Sequence, residues 1–167
     1  MRLSISEIMQ QVEAAHARED KIRILRWWES EPLKEVLKYC FHPEIKFLLP
    51  EGDVPYSPMP TGEGHGMLYT EARKLYLFAA FRDQPLHPTI KDLKRQMLFV
   101  QFLEGIDPQD AKLMVAIKDK QMPYKSVTPD LVLEVFPGLF PAPAVVEAPA
   151  VETKPKRRRK EKQGQVA

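Results

Sequence analysis

Apolar residues recur at intervals of three and four along most of this chain, the spacing of helices that bury one face. Ile5, Ile8, Met9 and Val12 keep that spacing behind Ser4, whose hydroxyl suits a helix start, so residues 4–17 are predicted to form an amphipathic helix. Glu19 and Asp20 favour the amino end of a second helix carrying Ile22, Leu25, Trp27 and Trp28. Ser30-Glu31-Pro32 opens a third, with Pro32 at a first-turn position and Leu33, Val36, Leu37 and Cys40 on one stripe.

The pattern breaks between Phe41 and Gly66. Ile45–Leu49 allows a short extended segment, Pro50, Pro55, Pro58 and Pro60 prevent helix, and Gly62-Glu63-Gly64-His65-Gly66 supplies a mobile turn. Helix is predicted to resume over residues 69–82, rich in Ala72, Leu75, Tyr76, Phe78, Ala79 and Ala80. The next runs from a Thr89 cap through Ile90, Leu93, Met97, Leu98, Val100 and Leu103 to a stop at Gly105. Asp107-Pro108 starts a sixth helix through Leu113, Met114 and Ile117, and Thr128-Pro129-Asp130 a seventh with Leu131, Val132 and Val135 facing inward. The expected fold is all-α: a compact bundle of seven helices without a sheet. Its core should contain Leu25, Leu37, Leu75, Phe78, Leu98, Met114 and Val135.

Composition divides the chain in two. Residues 1–141 hold the periodic pattern and can bury one core, whereas residues 142–167 alternate Pro, Ala, Val and Glu and then turn basic, as expected of a disordered tail. That tail has seven Lys/Arg against three Glu, a net +4, so the +2 of the whole chain leaves the body at −2. A globally basic nucleic-acid binder is excluded, and such binding would need a local patch or the tail. No apolar run approaches the roughly 20 residues of a membrane span and the first residues lack a signal-like apolar stretch, so a soluble protein of the cytoplasm is expected, with no membrane partner. The single cysteine, Cys40, excludes an internal disulfide.

Several residues bear on chemistry. The glycine-rich stretch 62–66 lacks the Gly-Lys-Ser/Thr ending of a phosphate loop and reads as a flexible loop. Cys40 and His42 have metal-pair spacing without a second pair to complete a site, so no metal and no cofactor are expected. Trp27 and Trp28 point about 100° apart on a helix, which puts at least one in the core, and Tyr76, Phe78, Phe81, Phe99 and Phe102 read as packing residues. Lys91, Lys94 and Arg95 share one helix face, and Lys112, Lys118, Lys120 and Lys125 cluster around the following turn. These seven can grip DNA phosphates or, with Asp92, Asp110 and Asp119 interspersed, form a solvated face. In the tail, Lys154, Lys156, Arg157, Arg158, Arg159, Lys160 and Lys162 can track a nucleic-acid backbone or an acidic protein surface.

The order of these features resembles the all-helical amino-terminal DNA-binding domain of ATP-dependent DNA ligases, most closely the bacteriophage kind. The resemblance spans residues 3–141 and rests on Lys21-Ile22-Arg23-Ile24-Leu25, on Leu33-Lys34-Glu35-Val36-Leu37-Lys38-Tyr39, on the apolar helices near 70–82 and 89–104, and above all on Leu131-Val132-Leu133-Glu134-Val135-Phe136-Pro137-Gly138-Leu139-Phe140-Pro141. Gln121-Met122-Pro123-Tyr124-Lys125 departs from the small or glycine-containing turn usual before the last helix of such domains. Adenylation needs a nucleophilic lysine in a Lys-x-Asp-Gly setting, and none of the seven glycines follows an aspartate. The expectation is therefore a non-catalytic, phage-encoded accessory protein that binds duplex DNA by its backbone or minor groove. The alternative is an adaptor or structural component in a phage replication, transcription or virion assembly, with no DNA contact by the body.

Overall fold

The computed structural model describes residues 2–60 and 62–141, so the tail cations and the predicted disorder beyond Pro141 lie outside the described residues. The first three helices are α1 (Ile5–Ala14), α2 (Arg18–Trp27) and α3 (Glu31–Phe41). Ser4 and Glu7 form a reciprocal capping box on α1, with the Glu7 amide donating to Ser4 Oγ and the Ser4 amide to Glu7 Oε1. Lys21 reaches back to donate to the carbonyls of Val12 and Ala15 at the other end of α1. Ser30 caps α3 by accepting from the Leu33 amide, with Pro32 in the first turn.

After α3 come β1 (Ile45–Phe47), an irregular proline-containing segment, α4 (Leu68–Glu71) and a 3-10 helix (Ala72–Phe78). Two strands follow, β2 (Ala79–Phe81) and β3 (Gln84–Pro85), and then α5 (Asp92–Glu104), α6 (Pro108–Lys118) and α7 (Pro129–Val135). The three strands form one antiparallel sheet in the order β1-β2-β3, with Ile45 opposite Phe81, Phe47 opposite Ala79 and Phe81 opposite Gln84.

The sheet corrects the all-α expectation: the fold is a mostly helical bundle with a small sheet on it. The helix read over residues 69–82 fails because Ala79 and Ala80, good helix formers, are claimed by pairing with the Ile45–Phe47 segment, a tertiary contact that outweighs local propensity. Both alanines are buried. Upstream, Ala72, Leu75 and Phe78 are all buried at a spacing of three, the repeat of a 3-10 helix rather than an α-helix. The Thr89 cap is also displaced. Helix α5 begins at Asp92 behind Lys91, with no side-chain cap, while the Thr89 hydroxyl is bonded to His87 Nδ1 at 3.2 Å.

Arg82 and Asp83 join β2 to β3 as a two-residue turn in which both have positive φ, 51° and 66°. Such hairpin turns favour Asn-Gly because the left-handed region costs a residue with a Cβ. Asp83→Gly is therefore expected to stabilise the protein by about 0.5–1 kcal/mol. A urea midpoint at or below that of the parent would rule out strain at this turn.

The core lies where α1, α3, the 3-10 helix, α5, α6 and α7 meet, and Phe78, Phe99 and Phe102 form an aromatic cluster in it, with ring centroids 5.1–5.9 Å apart. Of the seven residues expected there, Leu25, Leu37, Leu75, Phe78, Met114 and Val135 are buried, and Leu98 is half-buried. Tyr76, expected to pack, is exposed beside His87, and of the tryptophans Trp28 is half-buried while Trp27 lies in solvent.

Candidate interaction site along the fifth helix

The seven body cations singled out in the sequence divide into two groups. Arg95, 3% exposed, donates from Nε to the Leu77 carbonyl, from one terminal nitrogen to Asp92 and from the other to the Ile90 carbonyl, at 2.8–3.1 Å. It ties the start of α5 to the end of the 3-10 helix. Lys118 is also buried, and its ammonium donates to the carbonyls of Pro50 and Gly52 and to Asp119, each at 2.8 Å. It pins the segment after β1 onto α6.

Lys120 donates to the carbonyls of Tyr39, His42 and Ile45, each at 2.8 Å, satisfying the end of α3 and the start of β1. Its position is set by the way α6 ends. The Gln121 amide donates to the Ala116 carbonyl and the Lys120 amide to the Ile117 carbonyl, a closing motif that puts the residue at position 120 in the left-handed region, with φ 59°. Glycine is the usual occupant there, and lysine accepts the conformational cost while gaining three acceptors for its ammonium. Burial pulls the Lys120 pKa down to about 8, although the neighbouring Cys40 thiol acts in the opposite sense.

Lys91, Lys94, Lys112 and Lys125 form the second group. All four are exposed, and none has an acidic partner within ion-pair distance among the described residues. Lys91 and Lys94 sit at the first turn of α5, the positive end of its dipole, where a cation is unfavourable unless an anion joins it.

The apolar residues of α5 occupy two sides. Phe99, Phe102 and Leu103 enter the core, whereas Leu93 is 72% and Met97 51% exposed. With Val100 they make an outward stripe at i, i+4 and i+7. Leu49, Pro50, Val54 and Pro55 face this stripe across a concavity of about 290 Å³. The sequence carried a usable signal for it: apolar residues surround α5 so widely that one buried face cannot absorb them.

Asp110, read in the sequence as one of the acids on a solvated face, is fully buried instead. Its Oδ1 accepts from the Ser6 amide at 2.9 Å in the first turn of α1, its Oδ2 has no partner among the described residues, and burial raises its pKa. Within the glycine-rich turn, expected to be flexible, Gly64 is closely packed, whereas Gly62 and Gly66 have open space beside them. A Cβ at Gly64 would lie 2.5 Å from the Met59 sulfur and 3.0 Å from the backbone at Ile106 and Asp107, and His65 Nε2 is 2.8 Å from Glu7 Oε1. Cys40 is buried, its thiol pushed up to about 12 by desolvation. Among the described residues no group of three or more His, Cys, Asp or Glu is placed to hold a metal ion, and no helix is long and apolar enough to cross a membrane.

A model of a family of unknown function, DUF6433, matches residues 8–124, a span that includes α5, its groove and the hydrogen-bonded cations Arg95, Lys118 and Lys120. The chain belongs to that family. No curated protein and no solved structure matches it. The DUF6433 match stops just short of Lys125 and of α7, so the helix–Pro-Gly-Leu–Phe-Pro segment that carries most of the ligase resemblance falls outside it.

Proposed function

We propose that this DUF6433 protein is a non-catalytic, phage-encoded accessory factor of the host cytoplasm that binds duplex DNA by its phosphate backbone or minor groove with little sequence preference. The observation that carries the reading is the exposure of Lys91, Lys94, Lys112 and Lys125 without acidic partners among the described residues. Free ammonium groups are what a phosphate chain neutralises, and they supply affinity without reading bases. The similarity of residues 3–141 to a ligase DNA-binding domain points the same way, and the absence of a Lys-x-Asp-Gly sequence supports the non-catalytic part. Arg95, Lys118 and Lys120 drop out of the proposed contact set because their donors are already used.

Duplex binding measured across a salt series tests this. Each phosphate contact contributes about −0.9 to the slope of log affinity against log salt. The variant carrying Lys91→Gln, Lys94→Gln, Lys112→Gln and Lys125→Gln is expected to lose at least about tenfold in affinity and to flatten that slope by two or more. Truncation after Pro141 should weaken binding further and leave it measurable. Unchanged affinity in the quadruple variant, with all binding lost on truncation, would assign DNA to the tail alone and make the body a protein-binding scaffold.

A further inference from the structure

The groove along α5 has two features that an incidental surface hollow lacks. Its floor is a helical stripe of large apolar side chains, Leu93, Met97 and Val100, the first two mostly in water although the core side of the same helix is fully packed. Exposed apolar stripes of this kind mark contact surfaces. Its opposite wall, containing Leu49, Val54 and Pro55, is held in place at the cost of a buried charge: the Lys118 ammonium, its side chain wholly inaccessible, is spent on the Pro50 and Gly52 carbonyls. A second tie joins the Gly52 amide to Asp119 Oδ2, and a third joins the Ser57 amide to Glu104 Oε2.

Charge at the rim identifies the occupant. Lys94 borders the stripe, one position from Leu93 and three from Met97, and Lys91 lies at the same end of the helix. Both are exposed and without acidic partners among the described residues, while Asp53 is the single acid lining the groove. We infer that the groove takes an amphipathic helical segment of a partner protein, which inserts apolar side chains at a spacing of three to four between Leu93/Met97 and Val54/Pro55 and sets carboxylates against Lys94 and Lys91. Helix-in-groove docking uses this combination of apolar anchors and flanking charge. The inference is independent of DNA binding, although both would draw on Lys91 and Lys94.

The full-length protein can be titrated with two fluorescent helical peptides, each bearing leucines at i, i+4 and i+7, one flanked by glutamates and the other by lysines. The glutamate peptide is expected to bind about tenfold or more tightly than the lysine peptide. Leu93→Ser combined with Met97→Ser should weaken it by at least about tenfold while circular dichroism and duplex-DNA affinity stay unchanged, and Lys94→Gln should weaken it by a few-fold. No binding of the glutamate peptide, or binding indifferent to the double substitution, overturns the inference. Truncation after Pro141 that tightens peptide binding about tenfold would place the chain's own tail in the groove. A dimer that the double substitution breaks would place a second copy there, and either result overturns the assignment to a partner.

Discussion

Replacing Lys120 by methionine is expected to lower folding stability by about 3 kcal/mol, more than any of the four exposed lysines would cost. The substitution keeps the aliphatic stem and deletes the ammonium, leaving the carbonyls of Tyr39, His42 and Ile45 without their donor. Those three residues are themselves buried, so water cannot easily replace what is lost. Lys120→Gly removes the same donor and relaxes the left-handed backbone at this position, so it should lose roughly 1 kcal/mol less than the methionine variant. The pH dependence has a definite sign. In the folded protein burial lowers the Lys120 pKa to about 8, against an ordinary value of 10.5, so between these values the unfolded chain binds more protons than the folded one. Stability contributed by Lys120 therefore rises as pH increases through that window. Cys40 acts oppositely, because its raised thiol pKa removes stability as pH climbs from about 9 to about 12. The parent and the methionine variant should accordingly be compared from pH 7.5 to 9, where the gap between their urea midpoints is expected to widen. A gap that stays constant would mean that burial does not lower the lysine pKa, and a variant as stable as the parent would mean that the three carbonyls need no donor.

Much of the helical framework was legible because amphipathic spacing and caps are local. Ser4, Ser30, Asp107 and Thr128 cap α1, α3, α6 and α7 as their side-chain chemistry predicts. What the sequence hid was non-local. Nothing near Ala79 and Ala80 announces a strand, since the partner that makes them one lies more than thirty residues away at Ile45–Phe47. The cations posed a harder problem of the same kind. Lys91, Lys94 and Arg95 are indistinguishable as helix-face spacing, yet two side chains point to water and the third is threaded among the carbonyls of Leu77 and Ile90. For Lys118 a hint was present in its apolar neighbours, because a charge flanked by apolar residues at i−4 and i+4 can lie on the buried face, whereas Arg95 has Lys91 and Asp92 at i−4 and i−3 and gave no such hint. Lys118 has Met114 four positions before it and Met122 four positions after it.

Lys118→Met should cost about 2 kcal/mol, and its larger consequence should be local. The acceptors at Pro50 and Gly52 belong to exposed residues, so water can partly hydrate those carbonyls once the ammonium is gone, which keeps the cost below that at Lys120. Water cannot restore the tie between this segment and α6. One link to α6 would remain, the Gly52 amide to Asp119 Oδ2 at 3.2 Å, on an aspartate that would have lost its own contact with Lys118, while the Ser57 amide would still donate to Glu104 Oε2 on α5. The wall carrying Val54 and Pro55 is then held less firmly against Leu93 and Met97. Amide hydrogen exchange should accelerate at Gly52 and Asp53 while the interior of α5 stays protected, and affinity for the glutamate-flanked peptide should fall about fivefold or more. Lys112→Met, on the same helix and exposed, is the matched control and should leave stability within about 0.5 kcal/mol and exchange at Gly52 unchanged. If Lys118→Met reduces duplex-DNA affinity while exchange at Gly52 and the urea midpoint stay at parental values, Lys118 is a phosphate contact rather than a brace, and the wall beside α5 is held by something other than its ammonium.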